Sequence, residues 1–338
     1  MSEHIPAAAT EAADTEEKPQ HTRESALGRW IAYVPPLVLI ALIVFFSLAS
    51  PTFGSLQSIA TMGSQAGILL AAAIGLTFVV VAGGIDLSIG SVALLTGTAV
   101  ALLVAGIGDQ AWLAVVAALA IGAVAGLLNG AVVALARVPS FIVTLGTLSF
   151  FAGLALTLTG GQARGFISNG LLALVNQPVL PGIRGTFAIG LVVFAVSWFV
   201  MRRTRFGLHL YAMGANERAS RLAGINVLRV KLVVFAVSGA GAAIAGLLSV
   251  SQLQAASPAL GTSILLDAIA AIAIGGTSLA GGSGGVERTF VGVLILTVLS
   301  SGLNQLGVPD FTQNMIKGAV IVLAAAFTLA GRRGDVVK

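Results

Sequence analysis

Two acids stand in otherwise apolar runs, and they offer the most chemistry in this chain. Asp86 lies in Ala82-Gly-Gly-Ile-Asp-Leu-Ser-Ile-Gly-Ser91, and Asp267 in Ile264-Leu-Leu-Asp-Ala-Ile-Ala-Ala-Ile-Ala273. A carboxylate in such surroundings costs several kcal/mol unless it faces a cavity or a partner. Each is therefore a candidate for lining a polar path or carrying a proton. Asp86 has a second explanation. Following Gly83-Gly84, it can cap a helix beginning at Leu87, accepting from the free N–H groups of the first turn. Asp267 follows Thr262 and Ser263 by about a turn, and a place near a helix start would account for it in the same way. Ser88, Gln65, Asn129, Asn304 and Gln305 are neutral polar residues in apolar surroundings. They suit either hydrogen bonds between helices or the lining of a polar path.

Other chemistries lack their residues. There is no cysteine, which excludes disulfides, thiolate catalysis and Cys-ligated metals. His4, His21 and His209 are scattered and form no ligand set. Gly281-Gly-Ser283-Gly-Gly285 matches Gly-x-Ser-x-Gly in form only. A nucleophile elbow needs a strand-to-helix setting and a base, and here both are missing. No Gly-x-x-x-x-Gly-Lys-[Ser/Thr] loop is present to cradle the phosphates of ATP. No enzyme is expected.

The elements that must position these residues are membrane spans. Of 338 residues, 57% are hydrophobic and 9% charged, and the mean hydropathy is +1.00. A soluble domain carries about 25% charged residues. The fold class expected is all-α, a polytopic bundle of about ten membrane helices with broken or re-entrant segments. Roughly 20 apolar residues cross the hydrocarbon. The expected spans are 30–49, 62–83, 87–106, 111–136, 140–159, 186–201, 231–250, 263–280, 286–303 and 312–331. Residues 1–28 are acidic and polar and read as a disordered tail ahead of a membrane domain over 29–338.

Lys and Arg orient the chain. With both termini inside, the cytoplasmic segments hold every Lys and Arg except Arg164, Arg184 and Lys317, the bias expected of cytoplasmic loops. Lys317 falls in the last span near its outer end, where its stem can snorkel to the interface. The 42 glycines include Gly122, Gly126, Gly239, Gly241 and Gly246, small residues that let helix backbones approach. Breaks at Gly83-Gly84 and Gly275-Gly276 would free backbone groups, which is tolerable only where protein or water surrounds them.

Basic residues concentrate in the loop 202–230. Arg202, Arg203 and Arg205 suit an anionic lipid surface. The remainder has the pattern of a short helix. Asn216 can cap it, Glu217 occupies the first turn, Arg221 lies at i+4 from Glu217, and Gly224 stops it. A plain connector requires none of this, so the helix implies a soluble partner.

Four stretches together carry a resemblance over about residues 60–331: Gly83–Ser91, Arg202–Lys231, Leu266–Gly285 and Gly302–Val308. The chain resembles the ribose-type permease subunits of bacterial ABC sugar importers. The resemblance implies a multi-pass protein of the bacterial inner membrane. It would pair with a second permease copy, dock cytoplasmic ATP-binding subunits and receive a monosaccharide or small polyol from a periplasmic sugar-binding protein. ATP and magnesium would be bound by the ATPase, and this chain would hold no cofactor, metal or nucleic acid. Membrane lipid would surround it.

By the same resemblance, Asn216, Glu217, Arg218, Arg221 and Gly224 belong to the coupling helix. The translocation candidates are Asp86, Ser88, Asn129, Phe141, Asp267 and Asn304. Phe141, Phe150 and Phe151 could stack on a sugar ring or simply pack between helices. The rival expectation is a secondary transporter that couples a small polar solute to protons through Asp86 or Asp267.

Overall fold

A computed structural model describes residues 26–107, 111–167, 170 and 175–336. The tail expected over 1–28 lies outside the described residues, apart from the three that begin the first helix. Twelve helices follow in order among the described residues: α1 Ala26–Ala49, α2 Leu56–Val81, α3 Ile89–Ile107, α4 Ala111–Leu135, α5 Ser140–Thr159, α6 Gly185–Arg203, α7 Arg205–Ala215, α8 Glu217–Leu222, α9 Val227–Leu253, α10 Leu260–Ile274, α11 Val286–Gln305 and α12 Asp310–Val336. Two small antiparallel pairs complete the fold. β1 Arg164–Gly165 pairs with β4 Ala255–Ala256, and β2 Pro178–Leu180 pairs with β3 Ile183–Arg184.

Among the described residues, seven helices are long and apolar enough to cross a membrane: α2, α3, α4, α5, α6, α9 and α11. Tyr33–Ala49 and Leu260–Ile274 are apolar but shorter. The largest departure from the expected spans is at 263–280. α10 has 15 residues and stops at Ile274, about 22 Å of helix against a hydrocarbon core of about 30 Å. The cause is the glycine-rich segment that follows, where Gly276, Gly281, Gly282, Gly284 and Gly285 all have positive φ. α3 begins at Ile89, two residues after the expected start.

α2 and α9 form the centre. Residues 69–81 of α2 are buried without interruption. Glycines bring α9 against its neighbours. A β-carbon at Gly126 of α4 would land on the Phe235 carbonyl of α9, and one at Gly239 would land on the Gly122 carbonyl. On another face of α9, a β-carbon at Gly75 of α2 would lie 3.2 Å from Gly241 Cα. Lipid tails are as apolar as leucine, so association rests on close packing and its summed dispersion attraction. Large apolar side chains point outward instead, among them Leu37 and Phe45 of α1, Leu128 of α4, Phe150 of α5 and Val192 of α6.

Candidate functional site

At the end of the bundle that holds the α1–α2 and α11–α12 turns there is a polar cavity of about 600 Å³. Gln65 of α2, Asp267 of α10, Ser300 and Asn304 of α11 and Lys317 of α12 line it. Lys317, expected to snorkel to the interface, has a partner in the cavity. Its Nζ lies 3.2 and 3.3 Å from the two carboxylate oxygens of Asp267. Asp267 is eighth in α10, so it sits well inside the helix and not near its start. Gln305 also lines the cavity but has a structural role. Its Nε2 donates to Ser58 Oγ at 2.6 Å and its Oε1 accepts from Ser50 and Thr52, which ties α11 to the α1–α2 turn.

Asp86 lies apart from this cavity, in the break between α2 and α3, and is 2% exposed. Its Oδ1 accepts from Ser88 N at 2.9 Å and Ser88 Oγ at 2.6 Å, and its Oδ2 accepts from Ser238 Oγ of α9 at 2.7 Å. Asn129 Nδ2 of α4 donates to Ser88 Oγ at 2.8 Å. The carboxylate thus holds the turn that leads into α3. Because α3 starts at Ile89 and not at Leu87, Asp86 bonds Ser88 ahead of the helix and does not cap its first turn as expected. It also joins the break to two other helices. Asn129 Oδ1 is buried and has no hydrogen-bond partner among the described residues. The same break is tied to the start of α5: Ile85 N donates to Ser140 Oγ at 2.9 Å, and Thr144 Oγ1 donates to the Ile85 carbonyl at 3.2 Å.

The six residues expected on one path therefore fall into three places. Asp267 and Asn304 line the polar cavity. Asp86, Ser88 and Asn129 form the buried network. Phe141 lines a second cavity of about 840 Å³ at the opposite end, together with Arg137, Glu217, Arg221 and Lys231. Neither cavity is lined by Phe150 or Phe151. The uninterrupted buried stretch of α2 separates the two cavities, since Leu69 borders the first and Val79 the second.

Near the second cavity, the short helix α8 has the local structure its residues dictate. Asn216 Oδ1 accepts from Ala219 N at 3.0 Å. Glu217 pairs with Arg221 at 2.8 Å and also with Lys231 at the start of α9, at 2.9 Å. Gly224 ends the turn at φ +84°, a conformation that costs other residues energy. Ser220 is buried beneath the helix, while Arg218 and Arg221 are exposed and Leu222 is 91% exposed.

α7 connects this helix to the bundle, a link that the sequence pattern does not reveal. Tyr211 Oη donates to the Gly284 carbonyl at 2.8 Å. Burial pushes the Tyr211 phenol above its ordinary pKa, so it remains a donor at neutral pH. Arg202, at the end of α6, pairs with Glu287 at 2.6 Å. Gly282 N donates to the Val81 carbonyl at 3.0 Å, and Gly214 fits against both groups because a β-carbon there would strike them. The end of α2, the glycine segment after α10 and the base of α7 thus meet at one junction.

The comparisons agree with a transport protein. The family described as branched-chain amino acid transport system / permease component matches residues 58–325. The ribose import permease protein RbsC of Escherichia coli (strain K12) is 41% identical over 293 residues, covering 85% of this chain and 90% of that protein. RbsC of Bacillus subtilis (strain 168) is 37% identical over 292 residues, 86% of this chain and 90% of its own length. The xylose transport system permease protein XylH of Haemophilus influenzae is 33% identical over 354 residues, covering 86% and 94%. No solved structure matches the chain.

Proposed function

The chain belongs to this permease family, with ribose and xylose permeases among its relatives, and on that premise we propose that it is the membrane subunit of an ATP-driven ABC importer of a monosaccharide or similar small polyol. It is a transport component, and ATP hydrolysis falls to a partner chain that binds ATP and magnesium. The partners are a second copy of the permease, a cytoplasmic ATP-binding subunit and a periplasmic sugar-binding protein. In the proposed topology ten segments cross the inner membrane with both termini in the cytoplasm: α1 to α6, α9, α11 and α12, and α10 together with the glycine-rich segment that follows it. In that orientation the polar cavity opens toward the periplasm, and α8 lies on the cytoplasmic face.

The observation that carries the mechanism is the junction beneath α8. A partner that moves α8 moves α7, and α7 is bonded to the glycine segment that is itself bonded to the end of α2. ATP binding and hydrolysis in the partner then bias two arrangements of the bundle. In one, the cavity beside Asp267 is open. In the other, the cavity beside Phe141 communicates with it past α2. Proteoliposomes test the assignment directly. Uptake of ribose or xylose should require the binding protein, the ATPase and ATP. Uptake driven by a proton gradient without the ATPase would favour the secondary-transporter alternative instead.

Glu217→Lys is expected to lower ATP-driven uptake about tenfold, equivalent to ~1.4 kcal/mol of coupling. The change breaks two ion pairs and places a third cation beside Arg221 and Lys231. Gly224→Pro should act similarly, because φ is +84° and the Gly224 N–H donates to the Arg221 carbonyl. Co-purification with the ATPase is the measurement. Undiminished association and uptake in both variants would remove α8 from the docking surface.

A further inference from the structure

We propose that the cavity between α2, α10, α11 and α12 is a recognition subsite for a neutral polyol, centred on the Asp267–Lys317 pair, so that the permease itself discriminates among solutes. This rests on the transport assignment above and adds a binding step within the chain. The geometry of the pair leaves both groups underused. One ammonium faces both oxygens of one carboxylate at 3.2 and 3.3 Å. An ammonium has three donors and a carboxylate about four acceptor positions. A sugar hydroxyl both donates and accepts, so a single hydroxyl can bridge the two charges and neighbouring hydroxyls can use the remaining positions.

The surroundings are built for the same chemistry. Gln65 and Asn304 present carboxamides to the cavity, are exposed to it, and have no hydrogen-bond partner among the described residues. Gln65 lies in the tenth position of α2, at a depth where an amide without a partner in the protein calls for a polar occupant. None of the described residues that line the cavity is aromatic, so recognition proceeds through hydroxyls and not by stacking on a sugar face. The pair carries no net charge, and Asp310 at the same cavity disfavours anions. The volume of about 600 Å³ lies within the range of small-molecule sites, about 300–1,000 Å³. A simple staple between α10 and α12 would need the ion pair but neither the cavity nor the two free amides.

The chain has no cysteine, so Ser300→Cys places a single thiol on the cavity wall. Maleimide labelling of the purified full-length variant then reports occupancy. Ribose or xylose is expected to slow labelling about threefold at twice its dissociation constant, by simple occupancy. Ribose 5-phosphate should leave the rate unchanged. Adding Asp267→Asn should abolish protection. The exchanged pair, Asp267→Lys with Lys317→Asp, should keep the thermal midpoint but also lose protection. Absent protection by either sugar, equal protection by the phosphate, or full protection with Asp267→Asn would each overturn the subsite. Uptake by the assembled wild-type importer is scored separately. Uptake without protection rejects the subsite and keeps the transport assignment, whereas protection without uptake rejects the transport assignment.

Discussion

Gly214→Val should reduce ATP-driven uptake to background while the permease still reaches the membrane. At this position a β-carbon would fall on the Val81 carbonyl and 2.6 Å from Gly282 N. These two groups share the hydrogen bond that joins the end of α2 to the glycine segment. Overpacking a tight contact typically costs about 1–3 kcal/mol, and here the strain is local. The central contacts of α2 with α9 lie elsewhere along the helix, so the bundle should still assemble. What is lost is the register between α7 and the two segments it moves. Gly146→Val is the matched control, since nothing lies within 4 Å of a β-carbon on that exposed part of α5, and it should transport normally. The readouts are uptake, ATPase stimulation and the monodispersity of the purified complex. Normal uptake by Gly214→Val would remove the junction from the coupling route.

Asp86→Leu is expected to prevent accumulation of folded permease, and Asp86→Asn to be milder. The leucine leaves the buried donors Ser88 N, Ser88 Oγ and Ser238 Oγ without their acceptor. Each buried group left unsatisfied costs about 1–3 kcal/mol, so the sum approaches the typical stability of a native protein, about 5–15 kcal/mol. Asparagine keeps one acceptor oxygen for Ser88, and its amide can donate to the Ser238 hydroxyl, which accepts as readily as it donates. Fluorescence-detected size exclusion and the thermal midpoint check the ranking. If Asp86→Asn folds normally but transports nothing, the negative charge itself serves transport. If Asp86→Leu is as stable as the native chain, the network does not hold the break together.

Much of the fold is legible along the chain because the rules involved are local. An apolar run of sufficient length becomes a spanning helix whatever surrounds it. Asn216, Glu217, Arg221 and Gly224 lie within nine residues, and cap, ion pair and stop form between near neighbours. The breaks after Val81 and Ile274 follow from glycine pairs. Where the chain misled, a distant partner was responsible. Lys317 has a stem that could reach the interface, yet it meets an acid 50 positions earlier. A lone cation in an apolar run was the available signal that an acid must be near, but not which one.

The candidate path was only partly legible for the same reason. Polar residues in spans show that the interior is polar somewhere, but not whether they share a surface. Asp86 and Asp267 look alike in sequence. One is sealed in a network with Ser238, 152 positions away, and the other borders a cavity with a cation beside it. Tyr211 and Glu287 carry no pattern that marks them, and their roles arise only where α7 meets the glycine segment.

By itself, the sequence determined that this is a helical membrane protein whose glycines permit close packing and whose basic loop carries a capped helix. Hydrophobicity, backbone hydrogen bonding and capping act within a few turns, so neighbouring residues suffice to set them. Tertiary structure alone decided which polar groups meet: the Asp267–Lys317 pair, the Asp86 network and the junction at Gly214. Those contacts join residues 50, 152 and 201 positions apart. Such groups meet only when whole helices pack at one angle and register, and that choice belongs to the assembled bundle.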